Sequence, residues 1–377
     1  MLIIVNESII NAYSVNSVKF RSSLNNILNS HFNKKHFVYI TPKVARTIKS
    51  LNTGEWSNFL SEETIIKIDQ IANHCMLHGS INSSVSFHIH IYYDRIISPI
   101  TDVDVGVDNA SIWSFSILSD LEWILNPAFI YGENIDDSTL FEYIAKSTAM
   151  KRGLKNKNIK FRREMTGGCG NIKNVIKTRN KDAPDVKSPC FFIADSDYKF
   201  PRDEIHSIRK GSKTGLVNYN HSAPMSLYIT KAREVENLIP IELLISALDD
   251  KSKTEISIAN ALVAIDLFYK NYPEHYKYID IKEGTCLHKV NDHVTCRKFF
   301  RQTEEHTTTP CSDATHQSCF QLTPKLGDIV LSTLNDYINR KGERYLSTFT
   351  MAKNTDEWLQ LEQILFSISL CNDSQLM

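Results

Sequence analysis

The run Cys190-Phe191-Phe192-Ile193-Ala194, stopped at once by Asp195-Ser196-Asp197, constrains this chain more than any other segment. Five successive apolar residues predict a buried strand, since a half-solvated one would alternate. The segment belongs to a rhythm. Phe129-Ile130-Tyr131 is a shorter apolar run closed by Gly132-Glu133, followed by helical spacing over 138–150. A second strand is predicted over 157–163, ending at Gly167-Gly168-Cys169-Gly170, with helical spacing again over 171–179. A fourth strand is predicted over 226–229 and a helix over 235–248. Strands alternating with helices imply parallel pairing with right-handed crossovers. In such sheets ligands bind beyond the carboxyl ends of the strands.

Acids fall at those ends. Glu133 follows the first strand, with Asp136 and Asp137 on the turn into the helix. Asp195 and Asp197 follow the third, and Glu234 and Glu236 the fourth. In extended backbone a D-x-D projects both carboxylates to one side, where a single divalent ion bridges them. Mg²⁺ or Mn²⁺ prefers such oxygen ligands and keeps waters for chemistry. A glutamate on a neighbouring strand end would hold a second ion or act as general base.

Four segments, F-I-Y-G-E-N-I-D-D (129–137), G-G-C-G-N (167–171), F-F-I-A-D-S-D (191–197) and R-E-V-E-N-L (233–238), together resemble a toprim domain. This is the catalytic fold of topoisomerases, primases and the overcoming-lysogenisation-defect nucleases. The resemblance implies a parallel sheet flanked by helices, with Glu133, Asp195 and Asp197 as metal ligands. It adds Asp137 and Glu236 to the catalytic set, the latter from the defence-associated nuclease branch. The glycine that usually follows the first glutamate is Asn134 here, and Gly132 precedes it. The companion regions of a topoisomerase or primase are absent, so a Mg²⁺- or Mn²⁺-dependent endonuclease is what the resemblance implies. Stand-alone proteins with this core resemble effectors of bacterial anti-phage systems, working with a separate ATPase or sensor protein.

The charge distribution bears on the substrate. Forty-three basic and 43 acidic residues cancel over 377 positions. Yet residues 151–181 hold eleven Lys/Arg against the single acid Glu164, a net charge of +10. Such a field steers a polyanion and makes its binding salt-dependent. Lys155, Lys157, Lys160, Arg162, Arg163, Lys173 and Lys177 are the candidate nucleic-acid contacts. Lys199, Lys210, Lys213, Lys231 and Arg233 are candidates for neutralising the scissile phosphate. The pattern does not choose between DNA and RNA. A small-molecule phosphatase would not need eleven cations. A non-catalytic binding module on a degenerate toprim fold is the alternative.

Around this core the expected organisation is a mixed α/β region over 1–120, the catalytic domain over 121–248 and a mostly helical region over 249–377. In the first, helical periodicity covers 44–51 and 62–78, and alternation over 85–93 predicts a half-buried strand. In the last, helices are predicted over 328–340 and 356–371. A polar insert at 284–324 carries Cys286, His288, His293, Cys296, His306, Cys311, His316 and Cys319. These are ligand types for a structural Zn²⁺, although no C-x2-C pair is present. His74, Cys75 and His78, with His88 and His90, form a second candidate cluster. No signal peptide is legible, and no window has the ~18 uninterrupted apolar residues of a membrane span. Eight cysteines are too few for a disulfide scaffold. The expectation is a cytoplasmic protein with no membrane partner, and a homodimer is admitted.

Overall fold

The computed structural model describes residues 1–52, 59–79, 81, 85, 87–93, 100–105, 108–114, 125–155, 158–181, 188–201, 203, 225–253, 255–291, 294–306, 310–311, 319–350 and 356–372. Strands β1 (Leu2–Val5), β2 (Phe37–Tyr39), β3 (Phe87–Tyr92), β4 (Ile100–Val105) and β5 (Asp108–Ser114) form one sheet, ordered β2-β1-β3-β5-β4. Only the β4–β5 pair in it is antiparallel. The helices Pro42–Ser50 and Glu62–Leu77 and strand β3 lie where periodicity predicts them.

The second sheet is wholly parallel: β6 (Phe129–Gly132), β7 (Arg162–Met165), β8 (Cys190–Ala194) and β9 (Met225–Ile229), ordered β7-β6-β8-β9. Strand β8 occupies the predicted residues. Strand β7 begins later than predicted, because Ile159 bridges to Leu370 and Lys160 donates its N–H to the Ser369 carbonyl at 2.8 Å. The predicted helix over 235–248 is broken. A 3-10 turn, Val235–Leu238, precedes Pro240, and the helix proper is Ile241–Ser252. Ile239 is extended at ψ 127°, the conformation a following proline imposes.

Alternation along the central strands gives this sheet two covered faces. Phe129, Tyr131, Cys190, Phe192 and Ala194 pack with Ile172 and Ile176 of the helix Ile172–Lys181. Ile130, Phe191 and Ile193 point the other way, into the main core that includes Leu140, Phe141 and Ile144 of the helix Ile135–Lys151. The two crossover helices thus lie on opposite faces. The chain passes from β6 to β7 on one side, then from β7 to β8 on the other, so the connections diverge at the β6/β8 boundary. Right-handed crossovers demand this arrangement, and it opens a crevice at that boundary.

The main core continues through all three stretches of the chain, from Met1 to Leu370. Helices Ile329–Lys341, Glu343–Thr350 and Asp356–Ser369 pack on Ile135–Lys151. The terminal ammonium of Met1 donates to the Leu370 carbonyl, and Cys371 N–H to the Asn158 carbonyl at 2.7 Å. The C-terminal helix therefore clasps both sheets. Among the described residues no helix is long and apolar enough to cross a membrane.

Candidate active site

Glu133 and Asp195 meet across the crevice. Strand β6 delivers the first and β8 the second, and their pairing register (Tyr131↔Phe192) sets the strand ends side by side. Glu133 Oε1 accepts the Asp195 N–H at 3.0 Å, and Oε2 accepts the Cys169 N–H at 3.2 Å. The Glu133 carbonyl takes the N–H groups of Gly167 and Gly168 at 3.0 and 3.1 Å, so the G-G-C-G turn wraps the glutamate. Gly167 and Gly168 have φ of 71° and 102°, which explains glycine at both positions.

Asp137 arrives from the first turn of Ile135–Lys151. Asn134 caps that helix by accepting the Asp137 N–H at 3.0 Å, while Asp137 Oδ2 accepts the Asn134 N–H at 2.9 Å. Asn134 is therefore a helix cap. Gly132 permits the turn: a Cβ there would stand 2.6 Å from Asp137 Cβ.

Glu234 and Glu236 come from the 3-10 turn after β9. Asp195 Oδ1 accepts the Val235 N–H at 2.8 Å, tying this turn to β8. Glu357, on the C-terminal helix, accepts the N–H groups of Lys231 and Ala232 and the Tyr228 hydroxyl, and so holds the same segment from the other side. Glu236 is 1% exposed. Its Oε1 lies 2.9 Å from Lys282 Nζ, yet neither carboxylate oxygen receives a well-directed hydrogen bond among the described residues. Arg233 pairs with Asp280 at 2.9 Å.

The electrostatics follow from this crowding. Burial pushes the Asp137 carboxyl up to about 7, with the charges of Glu236 and Glu133 adding to the rise. Burial and Glu236 push Glu234 up to about 8. Asp195 is raised well above the ordinary range by burial first, then by Glu236, Glu133 and Asp137. Glu236 is also raised by burial, against the pull of Lys282. Lys282 is itself raised, because the attraction of Glu236 and Glu234 outweighs its desolvation.

Asp197 departs from expectation. The D-x-D is not extended: Asp197 has φ 53°, is exposed, and donates its N–H to the Arg233 carbonyl at 2.9 Å. Ser196 Oγ donates to the Ala232 carbonyl at 2.6 Å. These bonds turn the chain after Asp195 and remove the same-side projection that extended backbone would give. Among the described residues, no three carboxylates bring one oxygen each within 4.8 Å of one another. The assembled set is Glu133, Asp137, Asp195, Glu234 and Glu236 around Lys282. Sequence reasoning missed Lys282, Asp280 and Glu357, all beyond residue 248, where no motif marks them.

A cavity of about 290 Å³ shares Arg233 and Asp280 with the site and is also lined by Lys199, Lys289 and Tyr278. Lys231 is exposed on the adjoining loop. Of the basic stretch, Lys155, Lys160, Arg162, Arg163, Lys173 and Lys177 are exposed, on or beside edge strand β7 and on Ile172–Lys181. Arg163 also pairs with Glu142 at 3.1 Å. Two others have inward roles. Lys151 pairs with Glu362 at 2.6 Å, and Arg179 is buried over the Phe129 ring, donating to Tyr131 Oη at 2.8 Å. Lys157, Lys210, Lys213, His293 and His316 lie outside the described residues. The second histidine candidate divides into two contacts, His74 against His78 (4.6 Å between ring centroids) and His88 Nε2 2.7 Å from His90 Nε2.

No protein family, no curated protein and no solved structure matches this chain.

Proposed function

We propose that this chain is a metal-dependent nuclease of toprim type that hydrolyses nucleic-acid phosphodiester bonds. The observation that carries the reading is the meeting of Glu133 and Asp195 at the β6/β8 switch point, with buried Asp137, Glu234 and Glu236 beside them. The donor set is all carboxylate, which suits Mg²⁺ or Mn²⁺. Five acids face the positive charges of Lys282 and Arg233, and Glu236 Oε2 has no hydrogen-bond partner among the described residues. No three of these carboxylates bring an oxygen each within 4.8 Å of one another among the described residues, so a divalent cation fits only where the side chains ionise and draw together around it. Glu133, Asp195 and Glu236 would hold it, with Asp137 alongside. Bound there, the metal supplies Lewis acidity at the phosphate and a water of lowered pKa.

The chain's own groups do the remaining work. Lys199, Arg233 and Lys289 on the cavity wall attract the phosphate. The exposed cations of residues 155–177 draw the polyanion towards the sheet edge. A role as a defence effector, with a partner ATPase or sensor, rests on the toprim resemblance alone.

One observation favours a second reading, a non-catalytic binding module: both Glu133 oxygens already accept backbone N–H groups, as a structural carboxylate would. Plasmid, single-stranded DNA and total tRNA, each incubated with Mg²⁺ or Mn²⁺ or with EDTA, separate the two. The nuclease reading expects metal-dependent cleavage that an Asp195→Asn variant lacks. Tight binding without cleavage, equal in wild type and variant, selects the binding module.

Metal and protons compete for the same oxygens, and this has a definite sign. A carboxyl whose folded pKa is raised favours the folded state below its unfolded pKa and loses that contribution as pH rises through the folded value. For Asp137 the window runs from 3.8 to about 7, and for Glu234 from 4.5 to about 8. Cation binding needs the ionised forms, so stabilisation by Mn²⁺ grows across that window. By thermal melting, saturating Mn²⁺ is expected to add about 2–3 kcal/mol at pH 8, for a ligand at roughly a hundredfold its Kd, and almost nothing at pH 5. A Mn²⁺ effect independent of pH would mean that the ion binds elsewhere.

A further inference from the structure

Away from the acidic site, the thiols of Cys286, Cys311 and Cys319 converge, with their sulfurs all within 4.8 Å of one another. We propose that they form a thiolate site for Zn²⁺ that pins the polar insert to the core. None of the three is in a disulfide.

The backbone explains the convergence. The short strand Thr285–Cys286 pairs antiparallel with Gln321–Thr323. Leu287 N–H donates to the Phe320 carbonyl at 3.0 Å, Pro310 bridges to Phe320, and Cys311 N–H donates to the Cys319 carbonyl at 2.8 Å. Three segments, around residues 286, 311 and 319, are thus laced side by side around Phe320, and each contributes one sulfur. Gly284, at φ 74°, lets the first segment lie this close: a Cβ there would stand 2.8 Å from the Thr323 carbonyl oxygen.

Two features favour a metal over a disulfide. A tetrahedral ion with Zn–S bonds of about 2.3 Å places its sulfurs about 3.8 Å apart, so three mutually close thiols need only a small contraction. A disulfide would join two at about 2.05 Å and leave the third unused. The His288 N–H also donates to Cys319 Sγ at 3.2 Å, a bond that stabilises sulfur as thiolate. Three thiolates leave one corner of the tetrahedron, and His288 is the imidazole adjoining the cluster in the chain. Cys296 does not belong to the set: its thiol is buried and donates to the Lys199 carbonyl at 3.6 Å.

The site also has a structural consequence. Asp280 N–H donates to Thr285 Oγ1 at 2.7 Å, and Gly327 N–H to the Lys282 carbonyl at 2.9 Å. The strand pair that the metal would brace therefore carries Lys282 into the acidic cluster.

Metal analysis of the full chain, purified without chelator from zinc-supplemented culture, tests the proposal. About one zinc per chain is expected for wild type, Cys296→Ser is expected to retain it, and Cys286→Ser and Cys319→Ser are expected to lose at least tenfold. Should the last two fail to fold, wild type decides by itself. Stripped of zinc and titrated with Co²⁺, it should develop thiolate-to-cobalt charge-transfer absorption that Zn²⁺ abolishes. His288→Ala should weaken zinc retention if the imidazole fills the fourth corner, and leave it unchanged if water does, the three thiolates holding the ion in either case. Wild type without zinc and without the cobalt band, or a disulfide between two of the three cysteines found by non-reducing peptide mapping, overturns the proposal.

Discussion

Asp195→Asn is expected to abolish cleavage and at the same time stabilise the metal-free protein. Asparagine preserves the shape and the Oδ1 acceptor that takes the Val235 N–H, so the turn carrying Glu234 and Glu236 stays in place. What disappears is a carboxylate that burial and three neighbouring acids hold far from its ordinary pKa. In wild type at pH 8 the folded state must either keep that group protonated or crowd its charge against Glu236. Each unit of raised pKa costs about 1.4 kcal/mol once the unfolded group is ionised. The variant escapes this, and a gain in stability is expected in urea unfolding at pH 8 in EDTA. Near pH 4 both chains carry a neutral group and the difference closes. Activity moves the other way. Loss of a metal-holding carboxylate should lower cleavage by about 10³-fold or more. Opposite signs for stability and activity mark a site kept strained for function. A variant less stable than wild type at pH 8 would show that the acids are there for structure.

Much of the frame was legible in the sequence because it depends on local rules. Five apolar residues in succession identify β8 to the residue, and the strand-end position of Glu133 follows from the same rhythm. The helix over Ile135–Lys151 starts slightly before its periodicity, because Asn134 and Asp137 cap it reciprocally, a signal that spacing arguments passed over. At Asp197 the backbone departs from the extended form for a physical reason. The same-side rule for D-x-D holds in extended backbone, and the bonds from Ser196 Oγ and Asp197 N–H to the Ala232–Arg233 backbone turn the chain just there. The basic stretch was legible as charge but not as direction. Nothing local says that Arg179 lies under Phe129 and Tyr131 while Lys173 and Lys177 face solvent. Lys282 and Glu357 were invisible because they reach the site through tertiary packing from the C-terminal third of the chain. Cysteine spacing likewise hid the triad that strand pairing assembles.

Lys282 therefore provides the sharpest test of how the site is held together. Its ammonium lies 2.9 Å from Glu236 Oε1, with the Glu236 side chain 1% and its own 23% exposed. Removing one partner of a buried pair leaves the other uncompensated, which typically costs about 3–5 kcal/mol. Lys282→Met keeps most of the aliphatic stem, so packing loss is small and the cost is electrostatic. Urea unfolding at pH 8 without metal should show a loss of that size. As pH falls, Glu236 and Glu234, whose carboxyls are already raised, take up protons and no longer need the cation. The destabilisation should accordingly shrink towards pH 5. The pair can be isolated with a double-mutant cycle. Glu236→Gln alone should cost little, because Lys282 is 23% exposed and still faces Glu234 and Asp195, while Lys282→Met with Glu236→Gln should recover at least half of the Lys282→Met loss. Additive losses, or a Lys282→Met effect below about 1 kcal/mol at pH 8, would place this pair with ordinary surface ion pairs. The recovery expected here follows from geometry: Lys282, brought in by the turn beside the cysteine triad, lies 2.9 Å from Glu236 Oε1, while Arg233 is paired with Asp280.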